Sequence, residues 1–345
     1  MRRFCLVFAA GITLLAFVGF AQKGPTGGPY TVSKTLKIGG AGTFDTVFAD
    51  TVGRRLYIPR KGPGRITVFD LDTLEPVGEI PNASANGAVV DPKSGHGFAS
   101  SKPVVMWDTK TLKTIKTIEV QGGPDAILFD PFNERVYIFS HTAPNATVIN
   151  AVDGSVVGTI DLGGMPEQAV TDGKGHVYVD IRDRDNVTVI DAKTLTVSAH
   201  FDFAGKGGRC SGLAIDVKNE ILFAACREPQ MMVMLKASDG KIIDALPIGA
   251  GVDAAIFNPS TLETFSSQVD GTLTVVKETS PTSFMVEQTV QTKESAKQMA
   301  WDSKTNRILL IAADYGPPPT APPSGTTGGR GPMVQDSFSI LVVTK

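Results

Sequence analysis

The sequence predicts an all-β chain folded as a seven-bladed β-propeller. Each blade has four antiparallel strands, and an N-terminal strand closes the ring by completing the last blade. Three observations predict this. Short apolar runs, rich in β-branched and aromatic residues, alternate with polar turns, and each is too short for a helix. The pattern recurs about every forty residues, which marks one supersecondary unit repeated. The last repeat lacks its fourth strand, while an unmatched strand pattern stands near the start.

Taken in order, residues 1–21 come first and are of a different kind. Arg2 and Arg3 give a basic start, Phe4 to Phe20 is nearly all apolar, and Gly19-Phe20-Ala21 places small residues before Gln22. This pattern predicts a secretory signal peptide, so the chain is expected to be secreted or periplasmic. An uncleaved anchor is the alternative, because the apolar run is just long enough to span a bilayer. After cleavage no membrane association is expected. Residues 22–29, QKGPTGGP, form a flexible lead-in. The unmatched strand, Tyr30 to Ile38, follows.

Seven repeats fill the rest of 30–345. Each is anchored by an acid or amide at its first hairpin turn: Asp50, Asp91, Asp130, Asp172, Asp216, Asn258 and Asp302. Strand A precedes the anchor and strand B follows it. Strand C often ends in Asp or Asn, as in Phe69-Asp70 and Ile190-Asp191, and a tight turn leads to strand D. Glycine pairs after strand D, such as Gly122-Gly123 and Gly207-Gly208, are expected to supply positive φ at the crossing to the next blade. The clearest copy is Gly175 to Val197, GHVYVDIRDRDNVTVIDAKTLTV. Residues 315–332, YGPPPTAPPSGTTGGRGP, form a Pro/Gly-rich loop inserted in the last blade.

These repeats resemble the YVTN family of β-propeller repeats found in YncE-like proteins. The residues that carry the likeness are Val177-Tyr178-Val179-Asp180, Asn186 to Asp191, Thr194-Leu195-Thr196-Val197 and the turn Gly163-Gly164-Met165-Pro166. It covers roughly 30–345 and is weaker in blades 5–7, where Lys236 and Lys277 replace the Asp that ends strand C. The resemblance implies a secreted seven-bladed propeller, related to the WD40-like repeats, and no single activity.

Composition narrows the partners. The chain is 42% hydrophobic and 20% charged with a formal net charge of −2, so electrostatics give no reason to expect nucleic acid. A monomer is expected. No cofactor is expected either. There is no Cys-x-x-Cys-His for haem and no Gly-rich phosphate loop, and two Trp are too few for tryptophan-docked quinoprotein blades. Metal binding is left open.

In a propeller, strand A lines the central channel. The position five before each anchor gives Asp45, Asn86, Asp125, Glu167, Ser211, Asp253 and Lys297, a ring of seven polar residues at one channel mouth. The ends of strand B bring Lys61, His141, Arg182 and Arg227 to the same face, with His141 close to Asp125. The ring is either a site for a cation or polar ligand, or simply a wet channel mouth that tolerates polar groups. Cys210 and Cys226 flank the A–B turn of blade 5 at equal distances, which predicts a disulfide. Met231, Met232 and Met234 alternate along a strand and read as packing residues.

Two functions follow. The first is a secreted, non-enzymatic propeller that binds a small polar ligand or a protein at the channel mouth. The second is a lactonase-like hydrolase, in which Asp125 or Glu167 is the base and His141, Arg182 and Arg227 hold a developing oxyanion. An acid within hydrogen-bond reach of His141, with an arginine converging on one small pocket, favours the second. A wide, wet, evenly acidic funnel favours the first.

Overall fold

The computed structural model describes residues 24–317 and 331–345. The expected signal peptide and most of the expected 315–332 loop lie outside these residues. Among the described residues there are 28 strands and no helix. The strands form seven four-stranded antiparallel sheets. Six sheets take their strands in chain order, A to D. The seventh is ordered Gln298–Asp302, Arg307–Ala312, Ser339–Thr344 and then Thr31–Lys37, the N-terminal strand. The expected closure is therefore the observed one, with Lys37 opposite Ser339 and Thr31 opposite Thr344.

The innermost strands are Phe48–Asp50, Ala88–Asp91, Pro124–Asp130, Pro166–Thr171, Gly212–Asp216, Val252–Asn258 and Gln298–Asp302. Each leads into a turn that its anchor builds. In all seven blades the anchor's side-chain oxygen accepts the backbone N–H two residues on, as Asp91 does from Lys93 and Asn258 from Ser260. Asp and Asn recur there because a short side-chain acceptor mimics a backbone turn.

The core lies between the blades. Tyr137 and Phe139 of blade 3 pack on Val177, Val179 and Ile181 of blade 4, and all are buried. Trp107 is fully buried, and Gly97 is what makes room for it, since a Cβ there would lie 2.2 Å from the indole. Met232 and Met234 are fully buried, as the packing reading of the methionines requires. Cys210 and Cys226 form the predicted disulfide.

The glycine pairs are only partly explained by backbone freedom. Gly122 and Gly163 do have positive φ, but Gly207 and Gly208 do not. At Gly207 the constraint is space, because a Cβ would meet Cys226 Sγ at 2.5 Å.

Tyr30, just before the closing strand, and the C-terminal Lys345 are both tied to blade 6. The Tyr30 backbone donates to Gln288 Oε1 (2.9 Å) and accepts from its Nε2 (2.8 Å), while Lys345 pairs with Glu263 at 2.8 Å. The described part of the lead-in also touches blade 6, where Thr289 N–H donates to the Pro25 carbonyl.

On the face opposite the ring mouth, Arg54 of blade 1 grips Asp302 of blade 7 with two hydrogen bonds of 2.7 and 2.8 Å. Burial alone would raise the Asp302 pKa. Bonds from Arg54, Thr305 and Arg307 outweigh burial and hold the carboxyl well below its usual range. A depressed carboxylate stabilises the fold above its unfolded pKa, and that stabilisation is lost as pH falls towards the native value. Asp302→Ala is expected to cost about 3 kcal/mol at pH 7, the scale for breaking a buried ion pair. Urea denaturation measures this, and the gap to wild type should narrow below the unfolded carboxylate pKa.

Candidate functional site

The channel opens into a cavity of about 460 Å³. Its mouth is charged and its deeper wall is apolar, with Val47, Ile127, Ile256, Met299 and Trp301 among the lining residues. This division follows from strand pairing. Strand A residues near the anchor sit deep in the channel, whereas the position five before it lies at the rim, where the strand begins.

Six of the seven ring residues line the cavity: Asp45, Asp125, Glu167, Ser211, Asp253 and Lys297. The strand B ends contribute His141, Arg182 and Arg227. Asn86 and Lys61 are not among the lining residues. Asn86 is buried and donates through Nδ2 to the Pro124 carbonyl (2.9 Å), so its amide fastens blade 2 to blade 3. Lys61 stands off the cavity, yet its charge still acts on Asp125.

Two charge clusters share the mouth. In the first, His141 Nε2 lies 3.1 Å from Asp125 Oδ2 and 3.7 Å from Glu167 Oε1, and Arg182 donates to Glu167 Oε1 at 3.0 Å. In the second, Asp253 accepts from both Arg227 and Lys297. Lys297 is also 3.8 Å from Asp45.

Two glutamines knit the ring and were not singled out from the sequence. Gln298 Nε2 donates to Asp45 (3.0 Å) and Asp253 (2.8 Å), spanning blades 7, 1 and 6. Gln168 of blade 4 accepts from the Leu213 and Ala255 N–H groups and donates to the Ala255 carbonyl. Both stand four residues before their anchors, so the repeat register held the signal.

Four acids face three permanent cations in this lining. Burial pushes the carboxyls of Asp125 and Glu167 upward, and Asp253 adds to both shifts. Asp45 rises to about 7. Burial is the main cause, Lys297 opposes it, and the carboxylates of Asp253, Asp125 and Glu167 reinforce it. A carboxyl raised in the folded state binds more protons there than in the unfolded chain. It therefore subtracts stability as pH climbs from the unfolded value through the native one. Asp45→Asn, which mimics the neutral form, should melt at the same temperature as wild type at pH 4 and at a higher one at pH 8. Differential scanning calorimetry at both pH values reads this.

Behind the ring lies Asp180, fully buried, with neither carboxylate oxygen hydrogen-bonded. Its place in strand B is held by serines in blades 2 and 6. Those serines donate at 2.6 Å to the carbonyl of the next blade's ring residue, Ser100 to Asp125 and Ser267 to Lys297. Burial, with the charge of Glu167 added, pushes the Asp180 pKa well above the usual carboxylate value, which favours the neutral acid. Infrared difference spectra should show a protonated-carboxyl stretch that persists at about pH 9, above the range in which Asp45 titrates, and that Asp180→Asn removes. An unchanged spectrum would mean that Asp180 is ionised.

No protein-family profile matches the chain, and no curated protein does. Solved structures match widely. There are 1620 such chains, too many for the architecture itself to specify an activity. One, from "Crystal Structure of Mitotic Checkpoint Complex", superposes with a TM-score of 0.72 at 8% identity, over 100% of this chain and 99% of that one. Another, from Kuenenia stuttgartiensis hydrazine synthase, gives 0.60 at 15% identity, over 69% of this chain and 84% of that one. At such identities the likeness is one of fold alone.

Proposed function

We propose that this protein is a binding propeller that holds a small ligand in its channel, the ligand's polar end against the charged ring and its apolar part against the deeper wall. The carrying observation is the cavity of about 460 Å³ with charge at the rim and apolar side chains below, the composition of an ordinary small-molecule site. Two polar atoms support it further. Ser211 Oγ and Trp301 Nε1 are buried, belong to lining residues, and have no protein partner. A buried polar atom left unsatisfied costs about 1–3 kcal/mol, which a ligand or an ordered water would recover.

We place the chain among the YncE-like YVTN propellers, on the motifs of blade 4. Export to an oxidising compartment fits the Cys210–Cys226 disulfide.

A hydrolytic reading of the lactonase kind has one observation on its side. Asp125 stands within hydrogen-bond reach of His141, and Arg182 converges on the same cluster through Glu167. By distance the pair meets one requirement for acid–base catalysis, though it lacks the alignment of a hydrogen bond. It does so in a site whose cations are already engaged by carboxylates, and for that reason binding is the preferred reading.

A thermal-shift screen of the chelator-treated protein against sugars, sugar lactones and quinones tests both. A ligand at a hundred times its Kd adds about 2.7 kcal/mol of stability, a shift of several degrees. The expected result is one class of hit, lost in Asp253→Asn. A flat screen would remove the small-molecule reading. Turnover of a lactone hit that falls by about 100-fold or more in Asp125→Asn would establish the hydrolase instead.

A further inference from the structure

We propose that Asp125, His141 and Glu167 bind a divalent transition-metal cation at the channel mouth. The inference rests on the reading of that mouth as a ligand site, and it names one ligand.

The first argument is distance. Zinc-type cations sit about 2.0–2.2 Å from imidazole nitrogen and carboxylate oxygen, which places neighbouring ligand atoms roughly 3.0–3.6 Å apart. His141 Nε2 is 3.1 Å from an Asp125 oxygen and 3.7 Å from a Glu167 oxygen, and all three donor atoms lie within 4.8 Å of one another. Small side-chain adjustments reach coordination geometry.

The second argument is an unmet need. His141 Nε2 is buried and close to two carboxylates, yet it makes no hydrogen bond. The alignment that a shared proton requires is absent, whereas a cation between the groups needs only the lone pairs to converge. Ser211 supplies an independent sign. It is 1% exposed, lines the same cavity on the next blade, and its hydroxyl has no partner. Leaving that hydroxyl unpaired costs stability, which a hydrogen bond to a coordinated water would recover after a small side-chain rotation.

The third argument is rigidity and charge. The three donors come from strand beginnings and ends of two adjacent blades. Arg182 fixes Glu167 from outside the triad, as groups around metal ligands commonly do. Its positive charge weakens cation binding, but the carboxylates of Asp45 and Asp253 share the same mouth and counter it. The donor set of one imidazole and two carboxylates selects Zn²⁺, Mn²⁺ or Co²⁺ over Ca²⁺ and Mg²⁺, which take oxygen ligands. With three protein ligands, a coordination position is left for water or a small ligand.

The test uses untagged protein stripped with chelator and titrated with ZnCl₂ or MnCl₂ in a calorimeter. One equivalent should bind, with affinity reduced at least tenfold in His141→Gln and in Asp125→Asn. His176→Gln removes the other His–Asp pair, on the opposite face, where His176 Nδ1 lies 2.8 Å from Asp172, and should bind as wild type does. Absent binding, binding untouched by His141→Gln, or binding lost in His176→Gln would each overturn the proposal. If the His141 variant does not fold, Cu²⁺ electron paramagnetic resonance of the wild type decides. Nitrogen hyperfine structure from one imidazole supports the site, and its absence refutes it. An organic ligand that stabilises the stripped protein keeps the wider binding reading even if no metal binds.

Discussion

Everything at the channel mouth depends on the ring being closed. Seven inner strands hold their radius only if the last blade is joined to the first. That join is made from both chain ends: Thr31–Lys37 pairs with Ser339–Thr344, and Arg54 bonds Asp302 on the far face. Without the N-terminal strand, the strand Ser339–Thr344 would present an unpaired edge, the feature that invites aggregation in sheets. Closure makes the channel a fixed frame, so side chains at its rim are brought together without moving loops.

Within that frame the mouth is an electrostatic compromise. Carboxylates from blades 1, 3, 4 and 6 face inward over a short distance, and like charges so placed cannot all ionise freely. Arg182, Arg227 and Lys297 offset part of this, and Gln298 adds donors to two of the acids. Burial raises the carboxyls that remain undercompensated, with Asp45 the clearest instance. The result is a site with acid to spare, suited to a ligand that brings positive charge or hydrogen-bond donors. Asp180 shows the limit of the same tendency. With no partner bonded to either oxygen, that carboxyl is pushed towards its neutral form.

The sequence carried the fold because the repeat is written in local chemistry. Asp or Asn at each first hairpin recurs for a physical reason, since the side chain accepts the N–H two residues on in every blade. Counting back from those anchors placed the ring, and nine of the eleven residues assigned to the mouth line the cavity. The exceptions also have local causes. Asn86 uses its amide to bond Pro124, and Lys61 lies outside the lining. Gln168 and Gln298 went unnoticed because an amide carries no charge pattern to single it out, though the register would have marked both.

The sequence by itself determined the strand pattern, the blade count, the closing strand, the Cys210–Cys226 pair and the ring positions, because each is fixed by periodicity or by neighbours across one hairpin. Tertiary structure alone decided which charges meet. Asp253 is shared by residues of blades 5 and 7, His141 stands between carboxylates of blades 3 and 4, and Asp180 is sealed from water. These contacts join residues tens of positions apart, most of them across blades whose spacing is set by the packing of their faces. No local pattern records that spacing.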